Sequence, residues 1–112
     1  MQGTHVIIDI SNIVNNDLLK YENTIIELMD KIVEEFQLNV VNKVTHQFTP
    51  FGVTGVYVLS ESHLSIHTFV EERKIAMDLY TCTKFTQTKE LLEFMHVYFD
   101  GCHINHNIID RC

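Results

Sequence analysis

A chain of 112 residues with 46% hydrophobic content is sized for one domain, residues 1–112, around one core. Fifteen acidic against eight basic residues leave a net charge of −7. That balance argues against nucleic acid or an anionic membrane as partner and mildly favours cationic ligands. The three cysteines, Cys82, Cys102 and Cys112, lack C-x-x-C spacing, so neither a disulfide framework nor a zinc site is expected.

The first element in chain order is a short apolar strand, His5 to Ile10, broken by Asn15-Asn16-Asp17. No basic stretch leads into a long apolar run, so no signal peptide is expected and the expected location is cytoplasmic. Thr24-Ile-Ile-Glu27 has capping-box spacing. Behind it Ile25, Leu28, Met29, Ile32, Val33 and Phe36 recur at helical spacing, which predicts a helix over 24–37. Val40 to Phe48 is rich in β-branched residues, and Thr49-Pro50-Phe51-Gly52 reads as a turn. Three further strands are predicted over 55–59, 63–69 and 74–81. A second helix is predicted over 88–100 with Leu91, Leu92, Met95, Tyr98 and Phe99 on one side, ended by Gly101. A last strand follows over 102–109. The order β-α-β-β-β-β-α-β implies an α+β two-layer sandwich, a largely antiparallel sheet with two helices on one face.

Chemistry concentrates between Phe48 and Cys82. A serine, two histidines and a cysteine follow a glycine-bearing turn there. Those residue types alone leave two readings open: nucleophilic chemistry, or polar decoration of strands. His63 and His67 share a strand face by parity, and His103 and His106 lie near the end. Neither pair has a full zinc ligand set, and no metal is expected. Cys102 and Cys112 read as structural.

The run Leu59-Ser-Glu-Ser-His-Leu-Ser-Ile-His67-Thr68 closely resembles the self-processing motif of prokaryotic-type S-adenosylmethionine decarboxylases. Asp78-Leu79-Tyr80-Thr81-Cys82 and the segment His46 to Gly55 match two further family signatures in order and spacing. The resemblance implies a proenzyme that cuts itself between Glu61 and Ser62 into a 1–61 β chain and a 62–112 α chain. Ser62 Oγ attacks the Glu61 carbonyl and converts the amide to an ester. Loss of the Ser62 Cα proton expels the Glu61 carboxylate. The dehydroalanine that remains tautomerises to an imine and hydrolyses, releasing ammonia and leaving a pyruvoyl group as covalent cofactor. His67 matches the histidine that takes the Cα proton, a role suited to imidazole. Thr54 matches a hydroxyl that supports the acyl shift. Cys82 matches the acid that reprotonates the substrate, a task for a thiol protonated at neutral pH.

The activity so implied is decarboxylation of S-adenosylmethionine to the aminopropyl donor for spermidine synthesis, by a homodimer with its active sites near the interface. Phe48 and Phe69 stand where aromatic residues stack on adenine, and Glu71 where an acid accepts the ribose hydroxyls. The chain departs from the family over Val70-Glu-Glu-Arg-Lys-Ile75, where Val70 replaces proline and charges replace small or aromatic residues. Thr83 replaces a common glycine. These departures open two alternatives: the same chemistry on arginine or ornithine, and a non-catalytic regulatory paralogue.

Overall fold

Alternation along the strands sorts the protein into an apolar interior and a bare sheet face. The computed structural model describes residues 2–111. Strand β1 (Gly3–Ser11) leads through a 3-10 turn at Asn16–Leu19 into helix α1 (Glu22–Glu35). Strands β2 (Val40–Gln47), β3 (Val53–Leu59), β4 (Ser62–Phe69) and β5 (Lys74–Thr81) follow, then helix α2 (Thr88–Tyr98) and strand β6 (His103–Arg111). All neighbouring strands are antiparallel, in the order β2-β3-β4-β5-β1-β6. The sandwich is as expected, with a sheet wholly rather than largely antiparallel. Strand β1 is the non-local piece, because it inserts between β5 and β6.

Val6, Ile8 and Ile10 of β1, Leu64 and Ile66 of β4, and Ile75, Met77 and Leu79 of β5 point to the helices and are buried. They meet Ile25, Leu28, Met29 and Ile32 of α1 and Leu91 and Met95 of α2. Each such side chain contributes about 1.5–3 kcal/mol when fully buried, so the α1 stripe docks the helix without a strong cap. Gly55 sets how close α1 comes: a Cβ there would lie 2.6 Å from Met29 Sδ.

Helix α1 begins two residues before the predicted position, and the capping box does not form. Thr24 Oγ1 instead donates to the carbonyls of Leu18 and Tyr21. The first-turn amide of Glu22 is satisfied across space, by Gln47 Oε1 at 2.7 Å. A cap supplied by β2 leaves no trace in the local sequence of the helix. At the far end of α2, Gly101 adopts φ +82, the left-handed conformation expected of a helix-ending glycine.

Candidate active site

Strands β3 and β4 join through the tightest connection in the sheet. Leu59 pairs with Ser62, so Ser60 and Glu61 form a two-residue turn. The end of β5 lies alongside, with Ser62 opposite Thr81. Cys82 therefore falls next to the turn, and its amide N–H donates to the Glu61 carbonyl at 3.2 Å. On the other flank the Ser60 amide donates to the Asn39 carbonyl at 2.9 Å. Glu61, Ser62 and Cys82 line one cleft of about 180 Å³ with Leu38 and Asn39. An N–H aimed at the carbonyl that a neighbouring hydroxyl can attack stabilises the oxyanion of that attack.

His67 and Thr54 meet at the opposite end of the strands. They are paired across β3 and β4, and Thr54 Oγ1 lies 3.2 Å from His67 Nδ1. Ser62 and His67 are five residues apart on one extended strand, which separates them by roughly 16 Å. They also face opposite sides, since the even-numbered Leu64 and Ile66 point to the core and His67 points out. The short sequence offset that grouped Ser62 with His67 is thus a separation in one chain. Phe48, Phe69 and Glu71 do converge, around a groove of about 420 Å³ whose floor includes Gly52, Thr68 and Val70. Both rings are nearly half exposed, at 47% and 46%, and His46 packs edge-on to Phe48 with 4.6 Å between ring centroids. The residues singled out in the sequence therefore gather in two groups at opposite ends of the central strands.

A profile of the family described as S-adenosylmethionine decarboxylase matches residues 4–112. The chain belongs to the S-adenosylmethionine decarboxylase family. It is 32% identical over 109 residues to the S-adenosylmethionine decarboxylase proenzyme of Hydrogenobaculum sp. (strain Y04AAS1), covering 97% of this chain and 81% of that protein. It is 29% identical over the same length to the proenzyme of Archaeoglobus fulgidus, covering 97% and 96%. The crystal structure of the adenosylmethionine decarboxylase from Aquifex aeolicus superposes with a TM-score of 0.87 at 27% identity, over 97% of this chain and 89% of that one.

In this family member the departing segment has a structural explanation. Val70 is buried, and its carbonyl accepts from Asn16 Nδ2. Arg73 turns the chain at φ +55, and its guanidinium donates to the carbonyls of Ile13 and Val14. These residues lock the β4–β5 turn onto the loop after β1, and of Glu72, Arg73 and Lys74 only Glu72 lines the groove, beside Glu71.

The bare sheet face also holds a network that sequence spacing did not group. Asp78 Oδ2 accepts from His5 Nε2 at 2.7 Å and from His63 Nε2 at 2.8 Å, and Ser65 Oγ donates to Oδ1. Burial opposes the charge of Asp78, yet the hydrogen bonds from Ser65, His63 and His5 outweigh it and hold the carboxyl below its usual range. The available signal was parity: all four residues occupy outward positions on adjacent strands. His103 and His106, by contrast, fall on opposite faces of β6. Burial pushes the Cys102 thiol up, in keeping with a packing role, whereas Cys112 lies outside the described residues. No helix among the described residues is long and apolar enough to cross a membrane.

Proposed function

We propose that the chain cuts itself between Glu61 and Ser62 into chains 1–61 and 62–112, and that the cleaved homodimer decarboxylates S-adenosylmethionine through a pyruvoyl group made from Ser62. The observation that carries this reading is the cleft in which the Cys82 amide already polarises the Glu61 carbonyl beside the Ser62 hydroxyl. These residues fit the group, because the cut leaves Ser62 as a chain terminus next to a thiol. Once formed, the pyruvoyl carbonyl supplies an electron sink for loss of carbon dioxide. The residues around it bind, orient and move protons.

The separated half-sites fit a dimer in which each active centre draws on both protomers. The helices cover one face of the sheet, and the other exposes Val44, Val58 and Ile109. Thr54 and His67 open on this bare side. A two-fold axis through it turns one protomer's strands end for end against its partner's. That arrangement brings His67 and Thr54 of one protomer to the end of the other's sheet where β4 begins and Cys82 follows β5, within reach of the Ser62 backbone rather than of its core-facing side chain. His67 takes the Ser62 Cα proton during processing, Thr54 supports the acyl shift, and Cys82 returns a proton to the substrate. Phe48 and Phe69 hold the adenine from two sides, and Glu71 accepts the ribose hydroxyls. The setting is the cytoplasm, where the thiols stay reduced.

The structural role of Val70 and Arg73 removes the main reason for placing arginine or ornithine in the groove. Likewise, the meeting of Glu61, Ser62 and Cys82 in one cleft speaks for a working enzyme rather than a regulatory paralogue. Intact-mass measurement together with labelled carbon dioxide release tests both halves of the proposal. A chain cut before Ser62 that turns over S-adenosylmethionine is the expected result. An uncut chain, or a fully cut one that releases carbon dioxide only from arginine or ornithine, would overturn it.

A further inference from the structure

Cutting the Glu61–Ser62 bond turns β4 from the second arm of a hairpin into a chain end, and chain ends fray. The first residue after the new terminus is His63. We propose that Asp78 is a positioning residue which, through His63 and Ser65, pins that terminus in register beside Cys82; this inference rests on the self-cleavage proposed above.

The geometry is that of a clamp across three strands. Asp78 sits on β5 directly opposite Ser65 of β4, and its carboxylate grips both Ser65 Oγ and, one step nearer the cut, His63 Nε2. The same carboxylate oxygen holds His5 on β1, the strand on the other side of β5. Cys82 lies four residues beyond Asp78, directly after the last residue of β5, so the clamp and the thiol are carried by one short stretch of chain. Register between β4 and β5 near the cut therefore sets where Ser62 stands relative to Cys82. A one-residue slip would carry every β4 side chain to the other face.

The donors point the same way. Arg111 Nη1 lies 3.4 Å from His5 Nδ1, and a guanidinium can only donate. His5 Nδ1 is therefore the acceptor, and Nε2 keeps its hydrogen for Asp78. That assignment makes the cluster a hydrogen-bonded clamp, although the same three side chains lie close enough to ligate a metal ion. The ring of Tyr80 packs against His5 at 5.5 Å and His63 at 6.0 Å and carries Arg111 over it at 4.8 Å, which fixes both imidazoles from the side.

The test compares Asp78→Asn in the self-cut protein and in the uncut Ser62→Ala protein, by hydrogen–deuterium exchange of peptides covering β4. Asparagine keeps the shape but cannot accept three donors. In the cut protein, exchange at the first residues of β4 should speed up roughly tenfold, the scale of a hydrogen bond to a charged group. The covalent turn should hold the change to about threefold or less in Ser62→Ala. On S-adenosylmethionine, kcat should fall roughly tenfold while KM stays within about twofold, as for a misplaced reacting group. His63→Gln, which keeps a donor, should recover most of the protection, whereas His63→Leu should not. If Asp78→Asn itself blocks the cut, the two His63 variants carry the same comparison. Equal acceleration in cut and uncut proteins would mark a merely structural carboxylate and overturn the proposal. So would tight binding of zinc to the untagged protein that His5→Ala abolishes. A wild-type chain that never cuts overturns the self-cleavage and this clamp together; a cut chain indifferent to Asp78→Asn overturns the clamp alone.

Discussion

The composite active centre proposed for the homodimer makes a quantitative prediction for mixed dimers. Ser62 and His67 stand roughly 16 Å apart on one strand, too far for a serine and an imidazole to meet. Consider His67→Ala and Cys82→Ala. Alone, each should lose about 10²- to 10⁴-fold in decarboxylation, the usual scale of a missing acid–base group. The Cys82→Ala chain should still be cut, because its backbone N–H to the Glu61 carbonyl remains. The His67→Ala chain alone should stay largely uncut. When the two are co-expressed in equal amounts, random pairing makes about half of the dimers mixed. Each mixed dimer has one complete centre, built from Ser62 and Cys82 of the His67→Ala chain and His67 of its partner, and one doubly defective centre. Activity should therefore return to about a quarter of wild type, and about half of the His67→Ala chains should be found cut. Labelled carbon dioxide release reads the first number and intact mass the second. Mixed dimers confirmed by native mass spectrometry, yet no more active than the two separate variants, would refute the shared centre and return His67 to its own chain's site.

Other consequences follow from the fold. After the proposed cut, the 1–61 and 62–112 chains should co-elute in gel filtration and part only in denaturant, because β1 of the first lies between β5 and β6 of the second. Tyr57→Phe removes the bond from the buried phenol to Asp30 Oδ1 at 2.6 Å, so its urea midpoint at pH 8 should reflect a loss of about 1.5–3 kcal/mol. Burial, with the Asp30 carboxylate second, raises the Tyr57 pKa well above its ordinary value of 10.0. Below pH 10 the phenol is neutral both folded and unfolded; above it the unfolded chain ionises first, so wild-type stability should fall as pH rises while that of Tyr57→Phe stays flatter. Urea melts at pH 8 and pH 11 compare the two. Phe48→Ala should raise the KM for S-adenosylmethionine about two- to tenfold with kcat little changed, the scale of one lost aromatic contact.

How much of this was legible in the sequence depends on whether the cause is local. Strand β5 occupies Lys74–Thr81, the predicted span, because its apolar residues alternate cleanly from Ile75 to Leu79. The α1 stripe was equally plain, while its first residue was not, since Gln47 caps it from 25 residues away. Sheet order was invisible: nothing in the short apolar run of β1 says that it lies between β5 and β6. Motif resemblance pointed to Ser62 and Cys82 without saying that the cysteine's backbone N–H donates to the Glu61 carbonyl. Resemblance matched His67 to a role on Ser62 without saying that the two stand far apart in one chain, since on an extended strand five residues are a long way and odd steps change face. Asp78 was read only as part of a motif. Its partners lie 73, 15 and 13 residues distant, a relation that only the assembled sheet creates.

A chain that cuts itself must outlast the cut, and the position of the turn explains how this one can. The proposed cut lies where β3 hands over to β4, so it disturbs the two ladders only at their terminal pairs, Leu59 with Ser62 and Ser62 with Thr81. Strand β4 is interior, held by β3 on one side and β5 on the other; the same cut beside β2 or β6 would free an edge strand with one ladder to hold it. Because β1 interleaves the two products, neither can leave without opening the sheet. The backbone gains freedom only over a few residues at the new ends, and at the end that matters, Ser62, the adjoining His63 is tied to Asp78. Cleavage at this position would thus loosen the chain just enough for Ser62 to change chemistry, while β5 alongside holds the Cys82 that follows it within reach.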